Sequence, residues 1–306
     1  MPQNNTLTNV EITAREVDFV TSFERDWQHL LDILGILRPI KMSPGTVLKS
    51  KYAEVTLEKN QVGKGEEIQT STAVIKEKKY AEIKVEKYMT KVPIEDIAKY
   101  GYDNACVLSD EEFKNKLQQD VTDRFYAYLN KGMLKGSQKT WQRCLSIAKG
   151  AVINKYKKMH KKITKTIGFV NVMDLYDYLG DQPITTQTVF GFQYIQNFLG
   201  YDTIFLLSDE EIAQGTVIAT PANNINLYYA DPGESDFAKA GLEYTVSGQT
   251  NLIGYHVEGD YDTASSKSYA LIGLELFAEY IDGVCIVTKG SENKNPEAIN
   301  EDETTG

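Results

Sequence analysis

Residues able to do chemistry are few and scattered. His256, Glu258 and Asp260 alternate along the chain, with Asp262 close by. On an extended strand the first three share a face, and an imidazole among carboxylates is a donor set for a divalent cation. A solvated strand face has the same spacing and is the commoner use of a short alternating polar run. His29 falls in an amphipathic helical pattern and His160 in a lysine run, so with three histidines in all a Ser-His-Asp or Cys-His arrangement has little to build on. Cys106, Cys144 and Cys285 are an odd, widely spaced set without CxxC spacing, which excludes a disulfide framework and points to a reducing compartment. Gly63-Lys64-Gly65 lacks the spacing and the strand-to-helix setting of a phosphate loop. The basic run Lys155, Lys157, Lys158, His160, Lys161, Lys162 and Lys165 has two readings. It contacts DNA or an acidic neighbouring subunit, or it complements the dipole at a helix C-terminus. The chain's overall negative charge favours the second. No catalytic, cofactor-binding or metal-ligating set is assigned.

The composition is that of a globular protein: 306 residues, 42% hydrophobic, 25% charged. A chain this long buries roughly 75% of its unfolded surface and needs no staples. The net charge of −10 argues against wrapping nucleic acid by bulk charge. The polar start, Met1 to Asn5, has no basic segment followed by an apolar core, so no signal peptide is expected. The apolar stretch Ala270 to Val287 is interrupted by Glu275, Glu279 and Asp282, so no membrane span is expected. A soluble protein made in a cytoplasm follows.

The elements that must position these residues change character along the chain. Residues 1–12 are polar. Val17, Val20, Phe23, Trp27, Leu30, Leu31 and Leu34 then follow helical spacing, and Pro39 stops the helix. From 46 to 90 the period is two. Ala53, Val55 and Leu57 alternate with polar residues, as do Ala81, Ile83 and Val85. Between them lies Asn60-Gln61-Val62-Gly63-Lys64-Gly65-Glu66. This predicts a long β-hairpin with a broad, charged tip. A two-stranded ribbon is marginal alone in water, so it must lie on its own domain or on another subunit.

Pro93 opens a short helix ending near Gly101. Ser109 and Glu112 form a capping box for a helix through Phe113, Leu117, Val121, Phe125 and Leu129, closed at Lys131-Gly132. At 1.5 Å per residue this is a rod of roughly 30 Å. A third helix is predicted over Trp141–Tyr156. Strands are predicted at 167–172, 203–207, 216–219, 226–229, 252–258, 269–280 and 283–287, with a short helix at 174–179. In 269–280 the face of Ile272, Leu274, Leu276 and Ala278 is the apolar one. Residues 290–306 are polar and acidic and are expected to be disordered.

This order resembles the major capsid protein of tailed double-stranded-DNA bacteriophages, the Hong Kong ninety-seven-type capsid fold. The resemblance is carried by Gly45 to Gly101, by Ser109 to Gly132, and by Ala270 to Thr288, where Leu274-Glu275-Leu276-Phe277-Ala278-Glu279-Tyr280 leads through Ile281-Asp282-Gly283-Val284 into Cys285-Ile286-Val287. It rests on order and spacing along nearly the whole chain. It implies an α+β fold with an N-terminal arm (1–20), an amphipathic helix (21–43) and an extended loop (44–90). A peripheral domain (91–139 with 250–289) carries a spine helix over 110–131, and a mixed α/β axial domain spans 140–249, before the tail.

The resemblance further implies a structural protein without catalysis. It would assemble with itself as pentamers and hexamers into an icosahedral shell around packaged double-stranded DNA, bound without sequence specificity. The virion capsid is then its location and no membrane is involved. A portal protein is an implied partner. Because the fold begins almost at Met1, a separate scaffolding protein is expected. Some members weld subunits by a Lys–Asn bond; Lys59 and Lys64 sit near the hairpin tip, but lysines are common on exposed strands. The inter-subunit interface is expected at Asn60, Gln61, Val62, Gly63, Lys64, Gly65 and Glu66, at Ala53, Val55, Leu57, Ile83 and Val85, and along the arm. Two alternatives stay open: an encapsulin-like nanocompartment with the same fold, and a metal-dependent α+β enzyme using residues 256–262.

Overall fold

The computed structural model describes residues 5–36, 39–56, 71–180, 185–189, 192–234, 237, 239–248 and 250–298; of these, the side chains at 5–12, 48–56, 74–81, 189, 192 and 298 are outside the description. The chain opens with helix α1 (Asn5–Leu34). The arm expected over 1–20 is thus helical from Asn5, continuous with the segment expected over 21–43. Neither glycine nor proline interrupts these residues, and Gly35, at φ 73°, ends them. Phe19, Val20, Phe23, Trp27, Leu30, Leu31 and Leu34 are all buried.

There follow β1 (Ile40–Lys41), β2 (Val47–Thr56), β3 (Thr72–Glu82), β4 (Glu86–Pro93) and α2 (Ile94–Tyr100). A π-helical turn (Asp103–Val107) runs directly into α3 (Leu108–Leu129). Next come β5 (Leu134–Gln138), α4 (Trp141–Lys158), β6 (Thr166–Asn171), α5 (Val172–Leu179), β7 (Gln187–Val189), β8 (Phe192–Phe198), β9 (Tyr201–Leu207), β10 (Thr216–Pro221) and β11 (Ile225–Tyr229). The chain ends with β12 (Ile253–Asp260), β13 (Ser265–Ile272), β14 (Leu274–Ala278), β15 (Cys285–Lys289) and β16 (Lys294–Ala298).

The largest sheet is mixed, in the order β16-β5-β15-β10-β6-β9-β8-β7. Its two faces bury alternate residues, as the pleat requires. Ile167, Phe169, Phe205, Ile218 and Ile286 join the core shared with α1 and α3. Val170, Ile204, Val217, Cys285 and Val287 join the core under α4. Every residue of β6 is buried, as in a strand covered on both faces. Phe169 meets Phe125 and Tyr126 of α3 edge-on, with ring centres 5.9 and 5.7 Å apart. Two smaller sheets, β1-β11-β14 and β12-β13-β4, flank the spine helix α3, and β2 and β3 form a sheet of their own.

Several expectations are corrected. The predicted strand 269–280 is two strands in two sheets, broken at Gly273. There the backbone of Ala230 comes so close that a Cβ on Gly273 would lie 2.7 Å from that of Ala230. Both faces of the passage are buried, with Leu271 and Phe277 as enclosed as Leu274 and Leu276. The capping box does not form. Val107 and Leu108 are already helical, so Ser109 lies inside a continuous helix. The sheets also cross the expected partition. β5 and β15, expected in the peripheral domain, share a sheet with β6, β9 and β10, while β11, expected in the axial domain, pairs with β14. Finally, β16 pairs with β5 inside the stretch expected to be disordered.

Candidate assembly surface

The ribbon β2–β3 is antiparallel, with Ala53 opposite Ile75 and Val55 opposite Ala73. Among the described residues neither strand pairs with any other. At its base the two legs stay bonded to each other, Gly45 N to Ile83 O at 2.9 Å and Ile83 N to Thr46 O at 3.1 Å. Leu57 and the tip residues Asn60 to Glu66 lie outside the described residues. Ile83 and Val85, expected on the hairpin face, are instead in the connector between β3 and β4. Ile83 is 1% exposed and packs with Ala230 and Phe277, and Val85 packs beside them. Ile83 is therefore a core residue of its own subunit. The period of two ran past the end of the strand at Glu82.

Beside the root, Arg124 of α3 gathers three carboxylates: Glu86 of β4 at 3.5 Å, Glu275 of β14 at 3.4 Å and Asp120 at 3.4 Å. Tyr88 donates to Asp120 at 2.5 Å. Burial pushes the Glu275 carboxyl above its ordinary range, with Arg124 opposing and Glu86 and Asp120 adding. A cleft of about 720 Å³ opens at the same place, lined in part by Val85, Phe237, Leu242 and Tyr244.

Sequence reasoning missed the polar lock beneath α1. Arg15 grips both carboxylate oxygens of Asp110, at 2.5 and 2.7 Å. It also donates to Ser266 and Ser268, and Tyr255 donates to Asp110 at 2.8 Å. Burial works against the charged guanidinium, but the hydrogen bond and charge of Asp110 outweigh it and raise Arg15 above its ordinary value. Glu16, itself buried, accepts from Val257 N and Thr245 Oγ1, both at 2.6 Å. Glu24 accepts from Leu252 N at 3.0 Å. Only the position of β12 shows that these residues fasten the helix.

The acidic cluster at 256–262 is taken up by protein partners. His256 Nδ1 lies 3.2 Å from Glu16, Tyr269 donates to Glu258 at 2.7 Å, and Lys267 meets Asp260 at 2.8 Å. Hydrogen bonds from Lys267 and Thr263 hold Asp260 down to about 2. Among the described residues no group of three or more His, Cys, Asp or Glu is placed to hold a metal ion. Nor is any helix there long and apolar enough to cross a membrane.

The lysine run begins in the last turn of α4, where cations complement the dipole. Lys161 sits over the ring of Tyr280, 3.1 Å from its centre. Lys157, Lys158, Lys162 and Lys165 are exposed.

No protein-family model matches the chain, and no curated protein does. Solved structures do. The chain is similar to the virus-like particle of Pyrococcus furiosus at 10% identity, covering 87% of this chain and 99% of that one, with a TM-score of 0.46. It is similar to a chain of the satellite phage P4 procapsid at 9% identity, covering 88% and 90%, with a TM-score of 0.47. A chain of Microbacterium phage Oxtober96 matches at 13% identity over 84% and 90%, with a TM-score of 0.49. These are likenesses of chain path alone.

Proposed function

We propose that this chain is a shell-forming subunit, the major capsid protein of a tailed phage, with no catalytic step of its own. One observation carries the reading: the ribbon β2–β3 joins the subunit at its base, where Ile83 is buried against Ala230 and Phe277, yet pairs with no other strand among the described residues. A ten-residue strand extends about 33 Å. An isolated ribbon of that length is marginal in water, and its open edges invite pairing with another chain. A second copy supplies the missing surface. Repetition of that contact around closed rings, pentamers and hexamers, turns weak contacts into a stable shell. Packaged double-stranded DNA, a separate scaffolding protein and a portal are the partners this reading supplies, in the virion capsid.

The test is negative-stain electron microscopy of the purified protein, alone and co-expressed with its genomic neighbours. Closed particles tens of nanometres across support the reading. Packaged nucleic acid marks a virus, and an enclosed enzyme marks a nanocompartment. Deleting 59–66 leaves a folded subunit that assembles poorly. Normal, stable shells from that deletion would contradict the role given to the ribbon.

A further inference from the structure

Helix α2 buries none of its seven residues. A helix this short gains too little from its own hydrogen bonds to stand alone. With the π-helical turn that follows, it presents Ile94, Tyr100, Tyr102, Val107 and Leu108 as exposed side chains. Around them Glu95, Asp96, Asp103, Glu111 and Glu112 are also exposed, with Lys99 among them and with Arg25 and Lys114, both paired with Asp26, in the adjoining cleft. None of these five carboxylates makes an ion pair among the described residues. The opposite surface exists on the same chain. From Lys155 to Lys165 there is no acidic residue. Exposed Lys157, Lys158, Lys162 and Lys165 likewise have no ion-pair partner among the described residues.

The two patches cannot meet within one subunit. The acidic one sits at the N-terminal end of α3. The basic one sits beside its C-terminal end, where Gly132 packs on Val284 and Gly283 packs on Tyr156 of α4. Twenty-two residues of helix put them about 33 Å apart.

We propose that the α2 surface of one copy docks on the Lys157–Lys165 surface of a second copy, a head-to-tail contact along the spine-helix direction. This rests on the shell reading and adds to it a specific pair of surfaces. Tyr100 and Tyr102 supply the aromatic anchors favoured at interface centres; Lys99 of the same subunit already lies over the Tyr100 ring, 4.6 Å from its centre. Lysine stems cover the apolar residues while their heads meet the carboxylates. Complementary patches at opposite ends of a rod cannot pair isologously. They generate rings or open chains.

The test is a charge swap in the full chain. One variant carries E95K, D96K, D103K and E111K; the other carries K157E, K158E, K162E and K165E. Each alone juxtaposes like charges, and its association weakens on the order of 100-fold, read by analytical ultracentrifugation and native mass spectrometry. Mixed in equal amounts, the two are complementary at both surfaces. They re-associate with strict alternation, so even-membered rings form and five-membered rings do not. Rescue on mixing also shows that each variant is folded.

Single variants that form shells as well as the unaltered chain would overturn the docking proposal and leave the shell reading standing. Variants that are folded by circular dichroism but fail to re-associate on mixing would overturn it as well. Lysine variants that assemble normally but lose bound nucleic acid would assign that surface to DNA instead, against the proposal. If the unaltered chain forms no particle even with its genomic neighbours, the shell reading fails first.

Discussion

Helices α1 and α2 serve the same lobe and dispose of their apolar residues in opposite ways. The described part of α1 spends nearly all of them inside the subunit: Phe23 and Trp27 are fully enclosed, and Arg15, Glu16 and Glu24 are bonded to α3 or to the β12–β13 region. By contrast α2 fully buries none, although Ile94 is as apolar as the residues α1 encloses. The ribbon β2–β3 stands with α2, bonded at its root and unpaired beyond. Hydrophobic content therefore does not reveal which segments serve the fold. Residues stabilise the subunit only where a partner element of the same chain reaches them, and the rest remain for another copy.

The widest separation between the two helices is expected on truncation. Trp27→Ala should cost about 3–5 kcal/mol of subunit stability through its cavity, read as a lowered urea midpoint at unchanged slope. Breaking the lock beneath α1 comes next. Arg15→Met leaves Asp110 buried without its cation and should cost about 3 kcal/mol, part of which returns in the double variant with Asp110→Leu. Ile94→Ala, in the exposed α2, should change stability by less than about 0.5 kcal/mol. If it proves as costly as Trp27→Ala, the contrast between the two regions is wrong. The smallest effect is at the β12–β13 turn beside the start of α2. Asp260 is held at about 2 against an ordinary 3.8. Its contribution is therefore complete above pH 3.8 and disappears as pH falls through about 2. Asp260→Asn should flatten the acid limb of the stability curve in that window, and an unchanged limb would show that the Lys267 pair adds nothing.

Much of this was legible in order and spacing. The helical stripe through Val20 and Leu34, the proline that opens α2 and the rod through Leu117 and Leu129 appear as read, because each depends on local periodicity. The errors share one cause. The start of α1 looked like an arm because its first residues are polar, whereas Thr245 and Val257, the donors that hold Glu16, lie 229 and 241 residues away in sequence. Ile83 looked like ribbon because the alternation of Ala81, Ile83 and Val85 runs past the strand's end at Glu82. Residues 294–298 looked disordered because a polar edge strand has no apolar face to reveal it.

Sequence alone determined the menu: α+β elements, a two-stranded ribbon too thin to stand by itself, and a spine helix. Tertiary structure decided which surfaces are closed. It made fasteners of Arg15 and Glu16, gave His256, Glu258 and Asp260 separate partners within the chain, and left α2 and the Lys157–Lys165 surface unmatched at opposite ends of α3. The physical reason is that periodicity records what a residue needs, whereas burial and pairing record what distant parts of the chain supply.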